Sequence, residues 1–360
     1  MTRSTHLVGS WTARSPAQAM DSALIRLAPH LRRLSDGETG TLRSQWVQPT
    51  IEGLRANPDV ELVAGLAFAG ADSPEDYEEV PRFALREGHE LRPDNLHLHY
   101  RAAFDYSFPQ FLALRERYGR PDLPFQVGIP GPWELAAYAF GHHDGNVPNR
   151  LEAAFEDATV REIARIREVA GDDVIFQLEY VLPLLSVAGS PPEAQDGVAT
   201  AMAAKTAHLV ARCPEGTRFG SHLCLGDFKH KAMGHMTDAR PLVLLANAIG
   251  AAWPAGRRLE YIHAPFAAAA EPPIADPAFY EPLADLSLPD GTRFVAGFIH
   301  ESLGIDEHRE LLHRIEDLVG TEVDVAAACG LARREEIEQV WDAMDKAIEL
   351  INTGNDHADH

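Results

Sequence analysis

The sequence predicts an α/β protein: a single (β/α)8 TIM-type barrel with one extra or split strand. Three observations carry this expectation. Short apolar runs alternate with longer segments of helical period almost from end to end. Runs such as VIFQL are apolar at every position, as parallel strands covered by helices on both faces must be. No GxGxxG or GxxxxGK[ST] motif follows the first run, which argues against a dinucleotide fold. A chain of 360 residues suits two domains or one large barrel. We expect one barrel over residues 1–350 and a tail over 351–360.

The strand-length runs, in order, are HLVGS (6–10), LRRLSDGE (31–38), ELVAGLAF (61–68), FQVGIPGP (125–132), VIFQLEY (174–180), FGSHLC (219–224), LEYIHAP (259–265), FVAGFIH (294–300) and TEVDVAAACG (321–330). Helical spacing marks SPAQAMDSALIRLAPHLRRL, RLEAAFEDATVREIARIREVAG, DARPLVLLANAIGAAW, DEHRELLHRIEDLVG and RREEIEQVWDAMDKAIELINTG. Nine runs against eight barrel positions make one of them surplus, and the pattern is weakest over 61–100. GSPPEAQDG and APFAAAAEPPIADP read as βα loops, the connections that build the working face of a barrel. The end, NTGNDHADH, is expected to be disordered and its two His residues solvated.

Composition excludes several classes of function. With 32 basic and 54 acidic residues the formal charge is −22, which opposes a phosphate backbone, so no nucleic-acid partner is expected. No apolar run approaches the ~20 residues that cross a bilayer, and the start lacks a signal-peptide pattern, so neither membrane nor export is expected. Three cysteines, Cys213, Cys224 and Cys329, form an odd and sparse set that suits a reducing cytoplasm.

In a barrel, the C-terminal ends of different strands converge on one face. Reactive residue types sit at those ends repeatedly: Glu38, Glu179, His222 with Cys224, His263, His300 and Cys329. Alternation along a strand sends His222 and Cys224 to the same side, the geometry that a tetrahedral metal site asks of a His-x-Cys pair. Chance alone gives roughly 0.14 such pairs in a chain of this make-up, so the pair gains its weight from the distant thiol of ACGL (328–331). Arg333 and Arg334, just beyond it, either meet an anionic group or open a solvated helix.

HLVGSW, LSDGE, GIPGP, FQLEY, SHLCLGD, GFIH and ACGL stand in the order of the corresponding segments in the catalytic half of cobalamin-independent methionine synthase. The chain resembles that zinc-dependent superfamily, which also includes epoxyalkane:coenzyme M transferase and, more distantly, uroporphyrinogen decarboxylase. The resemblance spans nearly the whole chain, although only the His-x-Cys plus Cys-Gly-Leu pair is specific. It implies Zn2+ as cofactor, held by His222, Cys224 and Cys329. His263 is expected as the fourth ligand where the family has Glu, with Glu260 in reserve. Ser10, Glu38 and Glu179 match substrate-gripping positions, while His300 and Asp227 could pass a proton to a leaving group.

The activity so implied is alkyl transfer, most simply methyl transfer, from a donor to a small thiol. A thiol with a pKa near ~8.5 is mostly protonated at neutral pH, and zinc deprotonates it. Two departures qualify the likeness. The family's DEP reads EYV here, with Tyr180 in place of a carboxylate, and a neutral His ligand would leave the centre more positive, so the electrophile need not be methylfolate. A lyase, decarboxylase or thiol-to-epoxide transferase on the same barrel is the alternative, as is a non-catalytic protein that binds a thiol or corrinoid. A partner protein or homo-oligomer is compatible with each. Bland readings stand beside these: Cys213 as inert filler, the His142–His143 pair as a solvated loop, and GIPGP as turn geometry first.

Overall fold

The computed structural model describes residues 3–40, 43–68, 73–141, 148–334 and 336–353. The expectations for His142, His143 and residues 354–360 of the tail lie outside these. Among the described residues the strands are β1 (Thr5–His6), β2 (Val60–Ala64), β3 (Arg82–Leu85), β4 (Phe125–Pro130), β5 (Val174–Tyr180), β6 (Arg218–Leu223), β7 (Arg258–Pro265), β8 (Arg293–Ile299) and β9 (Asp324–Ala327). Seven of them form one curled sheet in the order β1-β9-β8-β7-β6-β5-β4, with every pairing parallel. The run at 31–38 is not a regular strand. Its first residues nevertheless bridge both edges of the sheet, Leu31 to Thr5 and Leu34 to Phe125. The surplus run is 61–68: β2 pairs only with β3, in a separate antiparallel hairpin.

Helices cover the sheet: α1 (Pro16–Leu27), α2 (Gln48–Gly53), α3 (Tyr100–Arg117), α4 (Pro132–Phe140), α5 (Asn149–Ala170), α6 (Leu182–Ala188), α7 (Gln195–Arg212), α8 (Arg240–Ala252), α9 (Ile305–Val319) and α10 (Ile337–Thr353). Local chemistry sets several ends. Ser15 accepts the Gln18 N–H and Pro16 supplies the first turn of α1. Gly320, at φ 76, lets α9 stop in a left-handed cap. Strand β5 is buried at all seven positions, as the apolar run required. No described helix is long and apolar enough to cross a membrane.

Two cores result. The larger lies between the sheet and its helices. The smaller joins the segment carrying α2, β2 and β3 to α4 and α5 through Ile51, Leu54, Val60, Phe83, Trp133 and Phe155. Inside the sheet the packing is partly polar. Arg33 Nη1 stands 3.2 Å from His6 Nδ1, and His6 Nε2 stands 2.9 Å from Gln177 Oε1. Gln177 Nε2 then donates to Glu179 Oε1 at 2.8 Å. The Tyr261 hydroxyl donates to Gln177 Oε1 at 2.9 Å, and its ring lies 3.7 Å beneath the Arg33 guanidinium.

Candidate metal centre and substrate cavity

His222 lies near the end of β6, Cys224 directly follows that strand, and Cys329 follows β9. Curling the sheet brings these ends together. One ligand atom from each of the three lies within 4.8 Å of the others, and the two sulfurs are 3.6 Å apart. Two thiolates on one zinc at ~2.3 Å, arranged tetrahedrally, stand ~3.8 Å apart, so the donor set and its spacing fit that ion. The Cys224 thiol donates to Cys329, which holds Cys329 below the usual thiol range and pushes Cys224 above it.

His263 is the strand neighbour of His222, but it is not in the group whose ligand atoms lie within 4.8 Å of one another. Its Nε2 is 3.0 Å from the Ala327 carbonyl oxygen and its Nδ1 is 2.7 Å from His222 Nδ1. A carbonyl only accepts, so His263 carries its proton on Nε2 and receives the Nδ1 proton of His222. That assigns the lone pair of His222 to Nε2, the state a metal ligand needs. Burial keeps both rings neutral, lowering His263 to about 4 and His222 further. His263, expected as a fourth ligand, stands outside the group of His222, Cys224 and Cys329 and is hydrogen-bonded to His222 and Ala327 instead. Glu260, the reserve, is held at the opposite end of β7 by Arg218 at 2.6 and 3.1 Å.

The sulfurs face a cavity lined by Ser10, Glu38, Glu179, Asp227 and Arg333. Glu38 has φ 44, an uncommon conformation for a side chain of this kind. Burial raises its carboxyl to about 7, with Arg43 opposing and Asp36 adding. Glu179 is raised further by burial and by the nearby Glu38 charge. Gly128 makes the meeting possible: a Cβ there would stand 2.5 Å from Glu179 Oε1 and 3.0 Å from Glu38 Oε1. Arg333 Nη1 donates to Ser10 Oγ at 3.2 Å. Asp227 Oδ1 is buried without a hydrogen-bond partner among the described residues.

Other expected residues lie elsewhere. His300 is buried outside the cavity, with Nδ1 2.7 Å from Ser302 Oγ and Nε2 3.3 Å from the Ala269 oxygen. Tyr180 faces the helices and accepts from Thr206 Oγ1 at 2.9 Å. Arg334 pairs with Glu301, leaving Arg333 alone of the two at the site. Cys213 fills core space and donates to the Leu209 oxygen. The sequence reading missed the aromatic wall of Trp46, Phe68, Tyr77, Tyr138 and Phe228. Tyr77 fastens that wall, accepting the Phe228 N–H at 2.8 Å and donating to the Lys231 oxygen at 3.1 Å.

No protein-family model matches the chain, and no curated protein does. Solved structures do. A B12-independent methionine synthase from Shewanella sp. W3-18-1, in complex with selenomethionine, superposes with a TM-score of 0.56 at 15% identity, covering 98% of this chain and 99% of that one. A Listeria monocytogenes protein described as a vitamin-B12-independent methionine synthase gives 0.53 at 14%, covering 98% and 99%. A methyltransferase from Methanosarcina mazei gives 0.51 at 11%, covering 98% and 94%. The chain therefore has the fold of these methionine synthase-like proteins over nearly its whole length.

Proposed function

We propose that the chain is a zinc-dependent transferase of the cobalamin-independent methionine synthase type, alkylating a small thiol, with methyl as the simplest group transferred. We read its architecture as a (β/α)8 barrel whose eighth position is filled by residues 31–34. The observation that supports the reading best is the meeting of two sulfurs and one correctly tautomerised imidazole at the head of a cavity. Zinc held there would supply the Lewis acidity that lowers the pKa of an incoming thiol and keeps its sulfur nucleophilic.

The chain's own residues do the remainder. Glu38 and Glu179 retain a proton between them, and a cationic group on the substrate would replace it, so the pair favours an amine. Arg333 and Ser10 offer donors to an anionic end of the same molecule. Asp227, whose Oδ1 lies 3.7 Å from His230 Nδ1, lines the cavity and would exchange a proton with a leaving group. The aromatic wall keeps water from the reacting sulfur.

Protein purified without added metal should carry about one zinc per chain. The cobalt-substituted form should change its visible absorption when homocysteine or another small thiol is added, because a catalytic site keeps a position open. A protein that takes up neither metal overturns the proposal.

A further inference from the structure

The opposite mouth of the barrel has a chemistry that the metal reading does not use. The N-terminal ends of the strands open into a cavity of about 430 Å³ lined by Arg32, Arg33, Arg218, Arg257, Arg258 and Arg293. That volume falls in the range of small-molecule sites. Glu260 and Asp290 are the carboxylates in its wall, and Asp324 lies beneath Arg293 at 2.5 Å. Six guanidiniums thus face three carboxylates, in a chain whose formal charge is −22.

The arginines are not all consumed by those carboxylates. Glu260 takes Arg218 at 2.6 Å and reaches Arg258 only at 3.7 Å, leaving the Arg258 side chain 76% exposed. Arg257 spends its donors on the Pro214 and Ala211 oxygens. Arg33 is 5% exposed, and its Nε has no hydrogen-bond partner among the described residues. Nε1 of Trp253, in the same wall, is likewise buried and unpartnered. Two buried N–H donors and a surplus of positive charge in one cavity call for a ligand that brings acceptors and negative charge.

We propose that this mouth binds a small multiply charged phosphate compound, gripped by Arg33 and Arg258, with the positive charge of Arg257 and the indole of Trp253 at its side. Guanidinium forks match phosphate oxygens two at a time, and the indole gives an apolar surface for whatever the phosphate is attached to.

Pyrophosphate and ATP are titrated separately into the full-length protein at low salt, read by calorimetry and by Trp253 fluorescence, with Trp253→Phe as the optical blank. Saturable binding at one site per chain is expected, and tighter binding of ATP would place an organic group against the indole. Arg258→Glu, at an exposed side chain, should weaken it at least tenfold, and Arg33→Gln likewise. Arg86→Glu, on the distant hairpin, should leave it unchanged. Absence of saturable binding, or equal weakening by Arg258→Glu and Arg86→Glu, overturns the proposal.

Discussion

The two ends of the curled sheet are built from the same strands and have opposite characters. The C-terminal end collects thiols, a paired imidazole, two carboxyls whose pKa values burial raises, and an aromatic wall. The N-terminal mouth collects arginines. A strand has one side chain per position wherever it runs, so the difference is not imposed by the sheet. It comes from what each end must meet. The C-terminal end is roofed by long βα connections and by the segment bearing α2, β2 and β3, which bury its groups and shift their protonation. The N-terminal end meets short turns, where long charged side chains stay partly in water.

The contrast can be tested at both ends, beginning where the effect is largest. On the proposed zinc reading, Cys329→Ser would remove one of two sulfur donors and should sharply lower zinc affinity, measured by competition with a chelator, while pyrophosphate binding at the other end is unchanged. Loss of both together would mean that the mouths are one cooperative unit.

A smaller effect concerns protons. Glu38 is held at about 7, above the ordinary 4.5, because burial favours its neutral form. The folded state keeps this proton where the unfolded chain has released it. The stability it lends is therefore full below pH 4.5 and is lost as pH rises toward 7, by on the order of 3 kcal/mol. Glu38→Gln should flatten that part of the profile in urea unfolding at stepped pH. An unchanged slope would show that the carboxyl is ionised in the fold. The smallest change is Tyr77→Phe, which removes the hydroxyl tying the aromatic wall to the Phe228–Lys231 turn. About 1 kcal/mol of stability should go with it. Unaltered stability would mean that the wall is held by packing alone.

Much of the upper mouth was legible in the chain. His222, Cys224 and Cys329 could be placed at strand ends because the apolar runs mark where strands stop, and parallel strands must converge. The surplus strand was legible as surplus, and β2 in its hairpin is where the pattern was weakest. The role of His263 was hidden, since it depends on a backbone oxygen at Ala327, sixty-four residues away, and carbonyls leave no mark in a sequence. The aromatic wall was hidden because Trp46, Phe68 and Tyr77 belong to an irregular segment with no period to read. The arginines were in view at the starts of strands, but only the curl of the sheet gathers Arg33, Arg218, Arg258 and Arg293 into one place.

The polar thread inside the curled sheet has a direction. Arginine has no acceptor, so Arg33 must donate to His6, His6 must pass its other N–H to Gln177, and Gln177 donates to Glu179. Every link points from the basic end to the acidic end, and none can be reversed while a guanidinium stands first. The molecule therefore carries a built-in electrical bias along its axis, one that eases negative charge on the uppermost carboxyl and resists any rearrangement that would turn the row around.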